Sequence, residues 1–489
     1  MARLSISRIL HRLADAEPDR VVAVAVTDDG ERTLTARGLD RRSSTYAREL
    51  VARGVGRDDL VAVCLPNGLE MLVVCAAVWK VGATPQPVAR ALPADDRAAV
   101  VRAARTAVTV GFAVDGTPTL PEGYRPDPGA DDGPLPDAWA RSWKAPTSSG
   151  STGTPKVVLS TAPALLDPGQ PVADFLPRRA TQLVSAPLTG SAAFTYAFRG
   201  LLTGHTLVLL PRFEEGAWLD AVERHRVTWT LLSPTTMQRL LRVPPARRDV
   251  RRLTSLESVL HLGAPCPPRL KEEFMTWLGA ERVVEVYAGS ESNGLTMLRG
   301  DEWLRRRGSV GRPIAGTQVR VLRPDGTAAA PDEPGAVWMR RGDRPTYRYL
   351  GAPGRRTADG WDTLGDVGHL DADGYLWITG REDDVIVRGG ERIHPVEVER
   401  VLERHPAVRS AVAYGVPDEE HGQRVEAVVD VAEAQVHPTA LLEHAARGLD
   451  PARRPTVVHV VRTPVRDDAG KVRRRDLPGR AASAAHDAG

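Results

Sequence analysis

Short β-branched apolar runs alternate with helical stretches along most of the chain. Residues 61–65 read as a strand followed by a helix over 69–80; 206–210 precede a helix over 217–225, and 258–262 precede one over 267–278. This switching between strand and helix periodicity predicts α/β architecture with largely parallel sheets. Residues 1–20 alternate apolar and charged positions as an amphipathic helix does, and the longest apolar run, 71–79, is too short to span a bilayer. Neither an export signal nor a membrane anchor is expected. A Pro/Gly/Asp-rich stretch over 115–137 interrupts the pattern and reads as a surface connection, disordered in part. A second interruption at Gly380-Arg381-Glu382-Asp383-Asp384 is followed by strand, helix, strand and helix patterns from 385 to 461, a unit of domain size. The Ala/Gly/Ser-rich tail 478–489 reads as disordered. Two domains follow, 1–382 and 383–489.

Composition narrows the class. A chain of 489 residues exceeds one ordinary domain and can bury large cores. A formal net charge of +3 over that length gives no reason to expect a nucleic-acid partner. Cys64, Cys75 and Cys266 lie far apart with no Cys-x-x-Cys pair, so neither a disulfide framework nor structural zinc is indicated, and a reducing cytoplasm fits. Of 65 basic residues only Lys80, Lys144, Lys156, Lys271 and Lys471 are lysines. Where arginine is the default cation, a lysine marks a place that needs a compact charge on a flexible stem.

Candidate chemistry concentrates in residues 146–156, Pro-Thr-Ser-Ser-Gly-Ser-Thr-Gly-Thr-Pro-Lys. Gly150 and Gly153 let the backbone aim several N–H groups at one anion, Ser148, Ser149, Ser151 and Thr152 add hydroxyls, and Lys156 adds a mobile positive charge. A flexible linker would not run straight into Pro155-Lys156 and the strand pattern Val157-Val158-Leu159. The loop reads as a polyphosphate grip. It lacks the Gly-Lys-Ser/Thr ending of a Walker loop, and no Gly-x-Gly-x-x-Gly opens a helix after the first strand, so neither a P-loop NTPase nor a dinucleotide-binding dehydrogenase is supported.

The stretch Ser148-Ser149-Gly150-Ser151-Thr152-Gly153-Thr154-Pro155-Lys156 resembles the signature loop of the adenylate-forming superfamily, which includes acyl-CoA synthetases, peptide-synthetase adenylation domains and luciferases. Further motifs follow in that family's order over nearly the whole chain. Trp79-Lys80-Val81-Gly82-Ala83 is similar to an early packing element, Gly263-Ala264-Pro265 to the loop lining the adenine pocket, and Tyr287-Ala288-Gly289-Ser290-Glu291 to the family's Tyr-Gly-x-Thr-Glu. The resemblance implies that Tyr287 stacks on adenine beside Ala288, Ser290 contacts the α-phosphate and Glu291 holds magnesium. Gly365-Asp366 and residues 380–384 resemble the ribose-binding and hinge elements, which puts Asp366 on the ribose hydroxyls, Arg381 nearby and the hinge at Asp383. Gly389-Gly390, leading to Ile393-His394-Pro395, resembles the loop that lines the pantetheine tunnel of acyl-CoA ligases, with His394 read as structural. Lys471 matches the catalytic lysine of the C-terminal domain, which the family rotates between its two half-reactions.

By the same resemblance the fold is a large N-terminal domain of layered α/β subdomains plus a β-rich subdomain, with a small mobile α/β C-terminal domain. The implied reaction uses ATP and Mg2+ to convert a small-molecule carboxylic acid to its acyl-AMP and then transfers the acyl group to coenzyme A. An acyl pocket is expected around 187–196, 232–237 and 288–295, with Thr189, Gly190, Ser191, Ser233, Gly289 and Gly294 leaving room for a large hydrophobic acid. Residues 143–155, 261–268 and 303–313 look most like ligases for fatty, bile-acid-like or other bulky polycyclic acids. Pro187-Leu188-Thr189-Gly190 stands where many relatives have Pro-Leu-x-His, and Ala288, Ser290 and Val157 also depart from the pattern. Three alternatives stay open: a member impaired in adenylation that uses a supplied acyl-adenylate, one that loads a carrier protein, and a non-catalytic nucleotide-binding protein. Arg473-Arg474-Arg475 reads as a solvated charge run or a contact for CoA phosphates.

Overall fold

The computed structural model describes residues 3–127, 129–148, 155–432, 436–468, 470–472, 474 and 477. The strand–helix units expected from periodicity form close to their expected bounds: Leu60–Val63 then Leu69–Lys80, Thr206–Leu209 then Glu215–Arg224, and Ser258–His261 then Pro268–Leu278. Six neighbouring strands of a nine-stranded sheet run parallel: Val283–Ala288, Ser258–His261, Trp229–Leu232, Thr181–Val184, Thr206–Leu209 and Val21–Thr27. Their near-continuous apolar runs are what a sheet covered on both faces requires. A second, four-stranded parallel sheet comprises Thr84–Pro87, Leu60–Val63, Val108–Val110 and Thr119–Leu120. The helix Leu69–Lys80 is buried along its whole length from Met71 onward and is apolar on every face, as a helix without a solvent side must be. It ends on Trp79, whose Nε1 donates to the Trp143 carbonyl at 2.8 Å, and on Lys80, whose ammonium meets Asp40 Oδ1 at 2.6 Å.

The β-rich part follows. Thr317–Leu322, Gly335–Arg341, Asp366–Leu370 and Leu376–Arg381 make an antiparallel sheet, and Tyr347–Leu350 pairs with Lys156–Ser160, which pairs with Thr147–Ser148. The fold class is therefore the expected one. The connection over 115–137 differs from expectation in its packing. Its described residues include the parallel strand Thr119–Leu120 with Leu120 fully buried, and Tyr124 sits edge-on to Tyr46 at 6.0 Å, so apolar anchors fix a stretch whose composition reads as loose.

After 384 the order is hairpin, helix, hairpin, helix, strand, not the simpler strand–helix repeat expected: Ile386–Arg388 with Glu391–Ile393, Pro395–Leu402, Val408–Asp418 with Gly422–Val431, Pro438–Gly448 and Val457–Val461. The short turns hide these strand pairs in the periodicity. Gly389 and Gly390 both take positive φ, +57° and +84°, which allows the two-residue turn. This part encloses its own core of Ile386, Ile393, Val398, Leu402, Ala411, Val425, Val429 and Leu441. We propose the domain boundary between 382 and 383, at the start of this separately packed unit. Among the described residues no helix is long and apolar enough to cross a membrane. The expected tail 478–489 lies outside the described residues.

Candidate active site

A cavity of about 3480 Å³ runs between the C-terminal edge of the nine-stranded sheet, the β-rich part and the C-terminal unit. Three groups of side chains line it.

At one end Asp366, the first residue of its strand, lies opposite Arg381 in the register and accepts from Arg381 Nε at 2.8 Å. The other carboxylate oxygen accepts the hydroxyl of Tyr287, from the adjacent parallel-sheet strand Val283–Ala288. Burial pushes the Tyr287 phenol well above its usual range, and the neighbouring Asp366 carboxylate pushes it the same way. Each Asp366 oxygen keeps a free lone pair for a further donor. Gly263, at φ +96°, carries the chain out of the strand Ser258–His261, and Gly263, Ala264, Pro265, Tyr287 and Ala288 all face the cavity.

The middle group surrounds Glu291. Its Oε1 accepts from the Tyr349 hydroxyl at 2.6 Å, and its backbone carbonyl accepts from Thr346 Oγ1 at 2.9 Å. Burial and the Glu291 carboxylate together raise the Tyr349 phenol far above its ordinary value. Lys156 Nζ lies 5.2 Å from the centre of the Tyr349 ring. Strand pairing explains the meeting, since Tyr347–Leu350 runs antiparallel to Lys156–Ser160. The expected grip residues Ser149, Gly150, Ser151, Thr152 and Gly153, and the side chain of Ser148, lie outside the described residues. Ser290 lines the same stretch of cavity.

Lys471 enters from the C-terminal unit. Its backbone N–H donates to Asp467 Oδ1 at 2.8 Å, closing a tight loop in which Gly470 takes φ +76°. A Cβ on Gly470 would lie 2.8 Å from that of Ala264, so only glycine lets this loop seat on the adenine-side loop. Ion pairs from the helix Pro234–Arg242 hold the unit there: Arg239 to Asp468 at 2.7 Å and Arg242 to Asp430 at 2.8 Å. Lys471 lines the cavity, whereas Gly389 and Gly390 do not.

The acyl side departs most from expectation. Thr189, Gly190, Ser191, Ser233, Gly289 and Gly294 all line the cavity. Gly289 and Gly294, however, are not there to leave volume. A Cβ on Gly294 would come within 2.8 Å of Thr317 Cγ2 and 2.9 Å of Met339, and one on Gly289 within 2.7 Å of Glu291 Oε2 and of Leu364. Both are close-packing positions. Sequence reasoning missed Arg199, Arg341 and the support that Tyr349 gives Glu291, and it named Lys144 without assigning it to the site. Rarity singled out the five lysines without sorting them: Lys80 and Lys271 are buried in the interior, Lys144 is buried and lines the cavity, and Lys156 and Lys471 line it as well. Lys144 Nζ donates to Ser191 Oγ at 3.0 Å and Thr195 Oγ1 at 2.8 Å, and burial pulls its pKa down to about 7.

Within the Arg473–Arg475 run, Arg474 departs from the solvated charge expected. Arg474 is a clamp inside the C-terminal unit, with Nη1 2.6 Å from Glu399 Oε1 and Nε 3.1 Å from Asp384 Oδ2; Arg473 and Arg475 lie outside the described residues. A buried carboxylate recruited this member of the run, a contact that local charge patterning does not reveal.

Sequence comparison places these features among known proteins. The chain matches the family described as AMP-binding enzyme over residues 10–137 and 145–347, and the AMP-binding enzyme C-terminal domain over 397–471. It is 32% identical over 496 residues to the sulfoacetate–CoA ligase of Cupriavidus necator, covering 92% of this chain and 93% of the relative. It is 30% identical over 494 residues to the 4-chlorobenzoate–CoA ligase of an Arthrobacter species, covering 93% and 91%. Among solved structures, the amide bond synthetase McbA from Marinactinospora thermotolerans superposes with a TM-score of 0.80 at 26% identity over 97% of this chain and 99% of that one.

Proposed function

The chain belongs to the AMP-binding enzyme family, in its acyl-CoA ligase branch, and is an ATP-dependent, AMP-forming acid:CoA ligase; from that premise we propose that its acid has a large, mostly apolar body. One observation carries the proposal. The cavity of about 3480 Å³, which takes in the nucleotide end, the acyl end and the cleft against the C-terminal unit, is several times the roughly 300–1,000 Å³ of an ordinary small-molecule site, and this supports room for a bulky acid beside the nucleotide. The two relatives named above act on a small sulfonated acid and on a chlorinated aromatic acid, so their substrates do not fix the size of this one.

The roles follow the geometry. Tyr287 offers an aromatic face to adenine, and Asp366, oriented by Arg381 and the Tyr287 hydroxyl, accepts from the ribose hydroxyls. Lys156 and the hydroxyl-rich loop before it hold the β- and γ-phosphates, and Ser290 meets the α-phosphate. Glu291 suits magnesium: Tyr349 fixes one oxygen, Oε2 faces Gly289 where a Cβ would crowd it, and one carboxylate is enough for an ion that keeps waters and phosphate oxygens. When bound, the ion neutralises triphosphate charge. Lys471, which lines the cavity, is assigned to the junction of acid and α-phosphate, where it offsets the repulsion between two anions as the acid oxygen attacks phosphorus and pyrophosphate leaves. In the second half-reaction the C-terminal unit turns about Asp383, withdraws Lys471 and brings Gly389-Gly390 to the site, where the CoA thiol attacks the acyl carbon and AMP departs. The reducing cytoplasm, which supplies ATP and CoA, is the compartment we assign.

A panel of acids assayed for ATP-dependent pyrophosphate release and, separately, for CoA thioester tests this reading. Bulky apolar acids should give both products, with CoA preferred to a phosphopantetheine carrier protein. A panel in which only small acids react would overturn the size proposal.

A further inference from the structure

The acyl end of the cavity is built from one face of the helix Ser191–Leu202. Ala193, Phe194, Ala197, Phe198 and Leu201 are buried in the core, and the opposite face turns Ser191, Thr195 and Arg199 to the cavity at spacings of four residues. This is a polar stripe on an interior wall. It extends about 12 Å from Ser191 to Arg199 at 1.5 Å per residue. Lys144, only 4% exposed, hangs its ammonium on the Ser191 and Thr195 hydroxyls. At the far end Arg341, from the strand Gly335–Arg341, faces the same space as Arg199, and Arg3 stands at the rim.

Little negative charge answers them: Lys144 feels the Glu291 carboxylate of the nucleotide end, and among the described residues no carboxylate acts on Arg199 or Arg341. Among the described residues Lys144, Arg199 and Arg341 form no ion pair, although the chain's arginines elsewhere pair freely with Asp and Glu. The charges felt by Arg199 are those of Arg341 and Arg3, which repel it, and of Tyr196. Arg341 donates Nε to the Ala315 carbonyl at 3.1 Å, and no other hydrogen bond from its guanidinium fork is made among the described residues. Half-buried cations gathered without a counter-ion destabilise the free protein, and a ligand anion relieves that cost. The nucleotide does not supply it, because its phosphates belong with Lys156 and Glu291 at the other end of the stripe.

We propose that the acid this ligase activates carries a second anionic group, a carboxylate, sulfonate or sulfate, received by Arg199 and Arg341 roughly the length of the stripe from the reacting carboxylate. The apolar body of the acid spans the gap, with Lys144 alongside. This rests on the ligase reading and names the substrate class of the same site.

Calorimetric binding to the full chain, with thioester formation measured in parallel, tests it. The probes are a rigid aromatic dicarboxylic acid, a long α,ω-dicarboxylic acid and a sulfated steroid acid, each against its counterpart with the second anionic group esterified or removed. The anionic member of at least one pair should bind about tenfold to a hundredfold more tightly, and Arg199→Leu and Arg341→Leu should each collapse that ratio while Arg199→Lys keeps part of it. Thermal melts check folding, and Arg341→Leu stands in should Arg199→Leu not fold. Equal binding within every pair overturns the proposal, as does a preference that survives both leucine variants. Should the arginine-dependent preference appear with no thioester from any acid, the subsite stands and the ligase reading falls.

Discussion

The two ends of the cavity solve opposite electrostatic problems. At the nucleotide end the two carboxylates are held before any ligand arrives: Asp366 by Arg381 and Tyr287, and Glu291 by Tyr349. At the acyl end Lys144 has two hydroxyls and the field of Glu291, while Arg199 and Arg341 have a carbonyl and one another. A site for an invariant ligand gains from groups already locked in place, because little reorganisation is left for the moment of binding. Charge left open makes affinity depend on which ligand closes it, and selectivity for the acid is stored there.

The largest effect is expected where the two ends meet. Lys471→Ala should cut acyl-AMP formation by about a hundredfold or more, the loss of roughly 3 to 4 kcal/mol of transition-state stabilisation. Thioester formation from a synthetic acyl-adenylate should survive, since the lysine is withdrawn by then. Pyrophosphate release at the parental rate from folded Lys471→Ala would remove the lysine from the first half-reaction.

Next comes the paired end. Asp366→Ala strips Arg381 and the Tyr287 hydroxyl of their shared acceptor and takes away the ribose contact. Truncating one member of a buried charged pair costs about 2 to 5 kcal/mol, so the KM for ATP should rise at least thirtyfold with the preference among acids unmoved. A shift in acid preference would mean that the two ends are coupled. Tyr349→Phe is milder. It frees one Glu291 oxygen from a hydrogen bond to a charged acceptor worth about 1.5 to 3 kcal/mol, and a weakening of roughly tenfold in the magnesium dependence of pyrophosphate release should follow.

The same contrast explains what the sequence makes legible. The nucleotide end comes from contiguous motifs, Tyr287 to Glu291 or Gly365-Asp366, whose backbone turns are part of the chemistry, so spacing alone displays them. Parallel strands and their helices are legible for a similar reason, because burial on both faces writes itself into unbroken apolar runs. The acyl end is assembled from residue 144 before the phosphate loop, every fourth residue of one helix, and residue 341 on a strand of another sheet. In a chain with this many arginines, Arg199 and Arg341 look like any others until the fold shows them facing a cavity. Gly294 misleads in the opposite sense, since a small residue at a pocket wall suggests room and the packing of Met339 and Thr317 shows there is none.

Lys144 sharpens the comparison by its protons. Burial sets its folded pKa at about 7, against roughly 10.4 for an unfolded lysine. Between those values the unfolded chain binds a proton that the folded chain lacks, so stability rises with pH from about 7 to about 10, and below 7 the cost of the buried ammonium is fully present. Lys144→Met should abolish that slope and stabilise the protein near pH 6 by about 1 to 3 kcal/mol, raising the melting temperature while acid binding weakens. In the parent at pH 8 the amine is mostly neutral, and a dianionic acid settling beside it favours the charged form. Binding should then take up close to one proton per site, seen as a binding enthalpy that changes with the ionisation heat of the buffer, and Lys144→Met should lose the uptake. Buffer-independent binding by the parent would mean that neither anion of the acid lies close enough to Lys144 to charge it.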